Sequence, residues 1–377
     1  MTASALAHTM KELGARQRGP AILGVLASFR CTAACRNCCF SCGPEVGERI
    51  PQARLRQYLV DASALGSIRL VAFSGGEAFL LGRDLVELVE LAGSLGMMTR
   101  IVSNGYWALD SQTARRVLRP LVEAGLNEIN FSTGDDHQQF VPVERVATAA
   151  AVSAEHGLTV AVAIEAADRN STVARRFHQA ADQLPGFKVA FEEGGVTIQH
   201  SAWVDFAAPG DSPGTNWPSP VNRRNLSARR PCESVLTSIS IMPNEDLMAC
   251  CGILSDTPPD LTLGNLRRQS MGDMVARGQA DLMKIWLFVE GPERIMAWCA
   301  SKDPSIVWED RFTHPCQTCR ALYADPRAMA VIQRHYEEKM DEILGWYALY
   351  LAGEPPQSVL NPANLNSCGR LDPTCTL

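Results

Sequence analysis

The stretch that decides the fold runs from residue 22 to residue 42 and reads Ile-Leu-Gly-Val-Leu-Ala-Ser-Phe-Arg-Cys-Thr-Ala-Ala-Cys-Arg-Asn-Cys-Cys-Phe-Ser-Cys. Its apolar first part predicts a buried strand over 22–28. Cys31, Cys35 and Cys38 follow with C-x3-C-x2-C spacing. Three thiolates on one loop suit three irons of a four-iron cluster and leave the fourth iron open to an exogenous chelator. The alternative is a zinc knuckle that Cys39 or Cys42 completes.

The first half of the chain repeats one sequence pattern, in which an aliphatic run is followed by an amphipathic stretch. Strands are predicted over 22–28, 68–74, 99–103, 128–132, 159–165 and 196–199. Helices are predicted over 52–65, 83–95, 111–124, 143–156 and 173–184. Alternation of this kind builds a parallel sheet, and six units suggest a partial or complete barrel. The pattern alone also allows a doubly wound open sheet.

Unusual residues follow four of these strands, at the end where α/β enzymes place their chemistry. The cysteines follow the first strand, Gly75-Gly76-Glu77 the second, Ser103-Asn104 the third, and Ser132 to His137 the fourth. The glycines let backbone approach a ligand closely, and the carboxylate can accept from an ammonium group. We expect these loops to converge on one site.

On these motifs the sequence resembles the radical S-adenosylmethionine (SAM) superfamily. The resemblance implies a partial (β/α)6 TIM-like barrel over 21–206, after an extension over 1–20. It also implies that the cluster on Cys31, Cys35 and Cys38 binds SAM, that Gly75, Gly76 and Glu77 hold its amino group, and that Ser103, Asn104 and Ser132 contact ribose or carboxylate. One-electron cleavage of SAM then yields a 5′-deoxyadenosyl radical, which removes a hydrogen atom from substrate.

A second cysteine group lies at Cys232, Cys250, Cys316 and Cys319. Spacing alone suits tetrahedral zinc and an iron-sulfur cluster equally. The group resembles the twitch form of the SPASM extension, which implies one auxiliary [4Fe-4S] cluster. We assign 207–231 to a linker, 232–353 to this small domain of β-hairpin and helices, with a helix over 328–351, and 354–377 to a tail. Cys251 is an alternative ligand to Cys250.

Other polar groups near the strand ends are candidates for the chemistry itself. Asp135, Asp136 and His137 follow the fourth strand and are candidate bases for a substrate radical. Glu165, at the end of the fifth strand, is a candidate contact to cofactor or substrate. Cys39 and Cys42 are candidate thiol donors or packing residues.

Composition limits the partners. The chain of 377 residues has a formal charge of −6, which argues against nucleic acid as the main ligand. No apolar stretch approaches the ~20 residues of a membrane span or resembles a secretory signal, so a cytoplasmic location is expected. Reduced thiols there favour metal ligation over disulfides for the thirteen cysteines.

The sequence favours a radical SAM oxidoreductase or maturase that crosslinks or dehydrogenates a ribosomally made peptide. A flavodoxin- or ferredoxin-type protein would supply electrons, and a separate peptide-recognition protein is a further expected partner. The alternatives are a dehydrogenase of a small molecule such as an aminocyclitol, and a non-catalytic zinc or iron-sulfur protein.

Overall fold

The computed structural model describes residues 19–36, 38–166, 171–184, 186–202, 219–251 and 258–352. The chain divides into two units. The first takes in the described residues of Ala21–Ala207 together with Ser240–Asp246, and the second takes in the other described residues. The tail cysteines, Cys368 and Cys375, lie outside the described residues.

Six strands form a parallel array in the first unit, in the order β6-β5-β4-β3-β2-β1. They are β1 (Ile22–Leu26), β2 (Leu70–Ser74), β3 (Met98–Ser103), β4 (Glu128–Gly134), β5 (Thr159–Ala166) and β6 (Val196–Ala202). Neighbours in space are neighbours in sequence, which excludes a doubly wound sheet, because that fold reverses its strand order. Within the described residues no pairing joins β6 to β1. The predicted partial (β/α)6 barrel is therefore confirmed.

Helices follow the strands as predicted, with ends shifted by a few residues. They are α1 (Gln52–Ala64), α2 (Arg83–Ser94), α3 (Ser111–Glu123), α4 (Val143–Glu155), α5 (Val173–Ala181) and the short α6 (Phe187–Glu192). The start of α3 has a local cause, since the Asp110 side chain accepts from Thr113 N–H at 2.7 Å. Sequence reasoning missed α6, whose six residues are too few to show helical periodicity.

The strands lie in register, so that their carboxyl ends share one edge. Leu26 lies beside Ser74, Phe73 beside Ile101, and Ser103 beside Phe131. Strands β1 and β2 are buried along nearly their whole length, whereas buried and more exposed positions alternate along β3 and β5. This register brings the loops after the strands together.

After β6, the described residues form three short strands and six α-helices. The strands are β7 (Ser238–Ile241) and β8 (Asp246–Met248), which overlap the two ends of the Ser240–Asp246 segment, and β9 (Thr262–Asn265). The helices are α7 (Met271–Gln279), α8 (Leu282–Val289), α9 (Pro292–Lys302), α10 (Pro315–Ala324), α11 (Pro326–His335) and α12 (Glu337–Ala352). The predicted single helix over 328–351 is wrong, because the chain forms α11 and α12 in succession. Basic side chains end the first and Glu337 and Glu338 begin the second, as the helix dipole favours. No helix among the described residues is long and apolar enough to span a bilayer.

The turn between β7 and β8 carries a buried acid, Glu245, which has a left-handed φ of 67° and is 1% exposed. Its carboxylate accepts from the Tyr58 hydroxyl and pairs with the Arg54 guanidinium, both on α1. Tyr58 is itself buried. An acid removed from water in this way is stable only while these partners are in place.

We expect Tyr58→Phe to lower the free energy of unfolding by about 1–3 kcal/mol, because it removes one donor from a buried carboxylate. Thermal unfolding followed by circular dichroism measures this as a lower midpoint temperature. Glu192→Gln, which breaks an exposed pair with Lys188 on α6, is the control and should leave the midpoint nearly unchanged. Equal midpoints for Tyr58→Phe and wild type would contradict the prediction.

Candidate functional site

The cysteine loop after β1 is a closed structure with its own small core. Cys31 N–H donates to Gly43 O at 3.0 Å, and Gly43 N–H donates back to Phe29 O at 3.2 Å. Inside this closure Cys31 and Cys42 are buried, and the rings of Phe29 and Phe40 stack at 5.8 Å. The loop therefore holds its cysteines in place through backbone bonds and packing.

The three candidate ligand thiols differ in their surroundings. Cys31 Sγ accepts from Ala33 N–H, and Cys38 Sγ accepts from Cys42 N–H, both at 3.4 Å. A hydrogen bond from the Cys42 thiol lowers the pKa of Cys38 to about 6, so this sulfur is readily a thiolate. Burial, with the nearby carboxylate of Asp136, raises the pKa of Cys35 to about 12.

The two glycines after β2 are required by close packing against the chain that leads into the cysteine loop. Gly76 N–H donates to Ser28 O, and Glu77 N–H donates to Arg30 O, both at 2.9 Å. A Cβ on Gly76 would lie 2.0 Å from Arg30 O, and one on Gly75 would lie 2.4 Å from Ser28 O. The sequence pattern predicts that these glycines approach a ligand, whereas in the structure they pack against the backbone of residues 28–30, directly before Cys31.

Glu77 joins the second strand end to the third. Its side chain is 3% exposed, and its carboxylate accepts from Ser103 Oγ at 3.0 Å, Asn104 N–H at 2.9 Å and Phe79 N–H at 3.1 Å. Burial raises the pKa of Glu77 to about 7 in spite of these three donors. The carboxylate thus fixes the backbone of the loop after β3.

Ser103 and Asn104 face protein groups that sequence reasoning did not name. The Ser103 hydroxyl also accepts from the indole N–H of Trp107 at 3.1 Å, and Trp107 stacks on Phe79 at 4.7 Å. The Asn104 amide donates to Thr32 Oγ1 at 3.0 Å and lies 3.7 Å from Cys31 Sγ. The only sequence signal for Trp107 was its position four residues after Ser103, directly behind a strand.

The loop after β4 reaches the cysteines through Asp136. Its carboxylate accepts from Arg36 N–H, inside the cysteine loop, and from Gln139 Nε2 at 2.8 Å. Asp135 instead accepts from Ser171 Oγ at 2.6 Å, and Ser132 is half-buried on β4. Asp136 is therefore the acid that ties β4 to the cysteine loop.

His137 and Glu165 lie together near the cysteines, with His137 Nδ1 3.9 Å from Glu165 Oε2. Burial raises the pKa of the Glu165 carboxyl. Burial also raises the pKa of the Cys39 thiol, and the nearby Cys38 and Glu165 raise it further. The structure thus brings His137, Glu165 and Cys39 into one region beside Cys38.

The donor set of this loop fits an iron-sulfur cluster, because three cysteine thiols lie near one another. Cys38 raises the pKa of Cys31, and both Cys38 and Cys31 raise the pKa of Cys35. Within the described residues, no three His, Cys, Asp or Glu side chains approach to the spacing of ligands around a single metal ion.

The second unit gathers the other cysteine group. The pKa of Cys316 is raised well above its usual value by burial and by Cys251, Cys232, Cys319 and Cys250. Cys316 and Cys319 occupy the first half of α10, and burial raises the pKa of Cys319 well above its usual value as well. Burial lowers the pKa of His314 to about 4, so its neutral Nδ1 accepts from Cys316 N–H at 3.1 Å.

Two hydroxyls support a sulfur-rich occupant for this group. Thr318, fully buried between Cys316 and Cys319, has no hydrogen-bond partner for Oγ1 among the described residues. The buried Tyr323 hydroxyl likewise has none within that part of the chain. Tyr323 lies near Cys319 and Cys250, where its hydroxyl could donate to a metal-bound sulfur atom, so the residues fit a metal group here. Cys299, by contrast, is fully buried and directs its thiol to Ala328 O at 3.7 Å.

The open parallel barrel carries at one edge the C-x3-C-x2-C loop and the linked Gly-Gly-Glu segment, the two motifs on which the sequence resembles the radical SAM superfamily. No family model matches the chain. A curated protein of Bacillus subtilis (strain 168), the putative peptide biosynthesis protein YydG, is 28% identical over 112 residues. This match covers 30% of the chain and 35% of YydG, so about a third of each protein is compared.

Solved structures provide further matches. BtrN in complex with AdoMet and 2-DOIA is 16% identical, with a TM-score of 0.44 over 73% of this chain and 89% of that one. Streptococcus suis SuiB bound to S-adenosylmethionine is 14% identical, with a TM-score of 0.43 over 74% and 75%. Native anSMEcpe with bound AdoMet and Cp18Cys peptide is 15% identical, with a TM-score of 0.47 over 84% and 99%.

We expect Gly76→Ala to disturb the cysteine loop, because the added Cβ must displace the backbone at Arg30. Hydrogen exchange read by mass spectrometry should show faster exchange over residues 28–43 in this variant. Gly93→Ala, where the added Cβ meets no atom within 4 Å, is the control and should exchange like wild type. Unchanged exchange in Gly76→Ala would show that the loop tolerates the added methyl group.

Proposed function

We propose that this protein is a radical SAM enzyme that oxidatively modifies a ribosomally made peptide. The observation that carries the proposal is the hydrogen-bonded chain from Glu77 through Asn104 to Cys31, which links three strand-end motifs into one site. If the three motifs matched the superfamily only by chance, there would be no reason for their residues to contact one another. The description of YydG as a peptide biosynthesis protein supports the peptide substrate.

In this proposal Cys31, Cys35 and Cys38 hold a [4Fe-4S] cluster. The chemistry that such a cluster supplies when bound is one-electron cleavage of SAM to a 5′-deoxyadenosyl radical. The protein closes the cysteine loop through backbone hydrogen bonds, donates backbone N–H groups to Cys31 Sγ and Cys38 Sγ, and packs the Phe29 and Phe40 rings together beside them. Ser132 and the Gly75 to Glu77 segment remain the proposed contacts to SAM.

Cys232, Cys250, Cys316 and Cys319 are the proposed ligands of one auxiliary [4Fe-4S] cluster. Three observations support this set. Cys232 and Cys250 lie near enough to Cys319 to raise the pKa of its thiol, and the C-x2-C pair lies in the first half of α10. The hydroxyls of Thr318 and Tyr323 have no hydrogen-bond partner among the described residues. Such a cluster would accept the second electron of an oxidation. A flavodoxin- or ferredoxin-type donor and a peptide-recognition protein are the proposed partners.

His137 is the proposed base, and it is favoured over Asp135. His137 Nδ1 is buried without a hydrogen-bond partner among the described residues and lies beside Glu165, whereas Asp135 already accepts from Ser171. His137 would take a proton from the oxidised substrate while Glu165 steadies the resulting charge. Cys39, adjacent to Cys38, is the proposed hydrogen-atom donor should the product be epimerised.

Anaerobic reconstitution tests the function. We expect roughly eight irons and eight sulfides per chain for two four-iron clusters, with 5′-deoxyadenosine formed on reduction in the presence of SAM. Cys35→Ala should abolish that nucleoside. Cys316→Ala should keep forming it because only the auxiliary site is lost. Stoichiometric zinc without nucleoside formation would instead establish a non-catalytic metal protein.

The base is tested by co-expressing the enzyme with a peptide that the wild-type enzyme modifies and measuring the mass of the peptide by mass spectrometry. We expect His137→Gln to lower the yield of the modified peptide by about 10²-fold while 5′-deoxyadenosine still forms in vitro. His178→Gln, on α5, is the matched control and should retain product. A fully modified peptide from His137→Gln would exclude this residue as the base.

A further inference from the structure

Asn104 is buried at the end of β3 with its side-chain amide held in one orientation. It is 6% exposed, and its backbone N–H is bound to the Glu77 carboxylate at 2.9 Å. Tyr106 N–H donates to Asn104 Oδ1 at 3.0 Å. Because that contact needs an oxygen acceptor, the amide nitrogen must point the other way, toward the cysteine loop.

The amide nitrogen has two hydrogens and two acceptors in front of it. One acceptor is Thr32 Oγ1 at 3.0 Å, and the other is Cys31 Sγ at 3.7 Å. Cys31 Sγ also accepts from Ala33 N–H at 3.4 Å. Each hydrogen of the amide therefore has a protein acceptor, which leaves none for the ribose or carboxylate of SAM, the contact that the sequence resemblance implies for this residue.

We propose that Asn104 is a positioning residue whose amide N–H donates to the Cys31 thiolate and thereby raises the reduction potential of the cluster. This rests on the proposed function, which places a cluster on Cys31. Reduction adds one negative charge to the cluster and its sulfurs. A donor aimed at a ligand sulfur stabilises the reduced state more than the oxidised state, so the potential rises.

The geometry gives Glu77 an indirect part in this effect. Its carboxylate holds the backbone of Asn104, and a change at Glu77 would shift the amide away from the sulfur. The buried position of Asn104 strengthens the bond, because little water competes for either partner. The residue after β3 is thus tied to the electronic state of the cluster through one hydrogen bond.

The test is a redox titration of the reconstituted full-length protein, followed by electron paramagnetic resonance of the signal that changes on addition of SAM. Asn104→Leu removes the donor at similar size. Asn104→Asp removes it while keeping an oxygen for Tyr106 N–H. Thr32→Val is the matched control, since it removes the other acceptor and leaves the contact with Cys31.

We expect both Asn104 variants to have a lower midpoint potential, with the ratio of reduced to oxidised cluster falling roughly tenfold at a fixed potential, which is about 59 mV for one electron. Thr32→Val should titrate like wild type. The proposal is overturned if the Asn104 variants keep the wild-type potential but bind SAM more weakly, or if neither holds wild-type iron while Thr32→Val does. A wild-type protein without any cluster would instead refute the proposed function.

Discussion

The buried carboxylate of Glu77 is the interaction on which the site depends. It comes from the second strand, holds the hydroxyl and backbone of the loop after the third, and follows two glycines that pack directly against the residues before Cys31. An acid with such low exposure is tolerated only where several donors surround it. The three strand ends must therefore fold as one piece, and the cysteine loop has a fixed base.

Asp136 constrains the same loop from the other side. By binding Arg36 N–H it reaches between Cys35 and Cys38, so the loop is held from both β2 and β4. Its charge also raises the pKa of Cys35, whereas the Cys42 thiol lowers that of Cys38. The three sulfurs thus start from unequal affinities for the proton. Because metal ligands bind as thiolates, metal binding at this loop would displace a proton more from Cys35 than from Cys38.

Much of this arrangement could be predicted from the sequence, because each strand carries aliphatic or β-branched residues and the motifs follow directly behind the strands. Sequence periodicity placed all six strands, and the register brought their ends together as expected. The roles of single polar groups were harder to predict. The role of Gly76 depends on the position of Arg30 O, and that of Asn104 depends on the position of Cys31 Sγ. The role of Asp136 depends on a backbone N–H in a loop a hundred residues earlier in the chain. Such contacts leave no local pattern in a sequence.

The turn that carries Glu245 determines where the barrel could be cut from the rest of the chain. Residues Ser240–Asp246 group with the barrel although the chain around them belongs to the second unit. A shortened protein that stops after residue 206 would remove the Glu245 carboxylate that Arg54 and the Tyr58 hydroxyl bind. The barrel is therefore a compact unit built from two separate stretches of chain, and expressing it alone with these contacts intact requires joining residues 240–246 back to it.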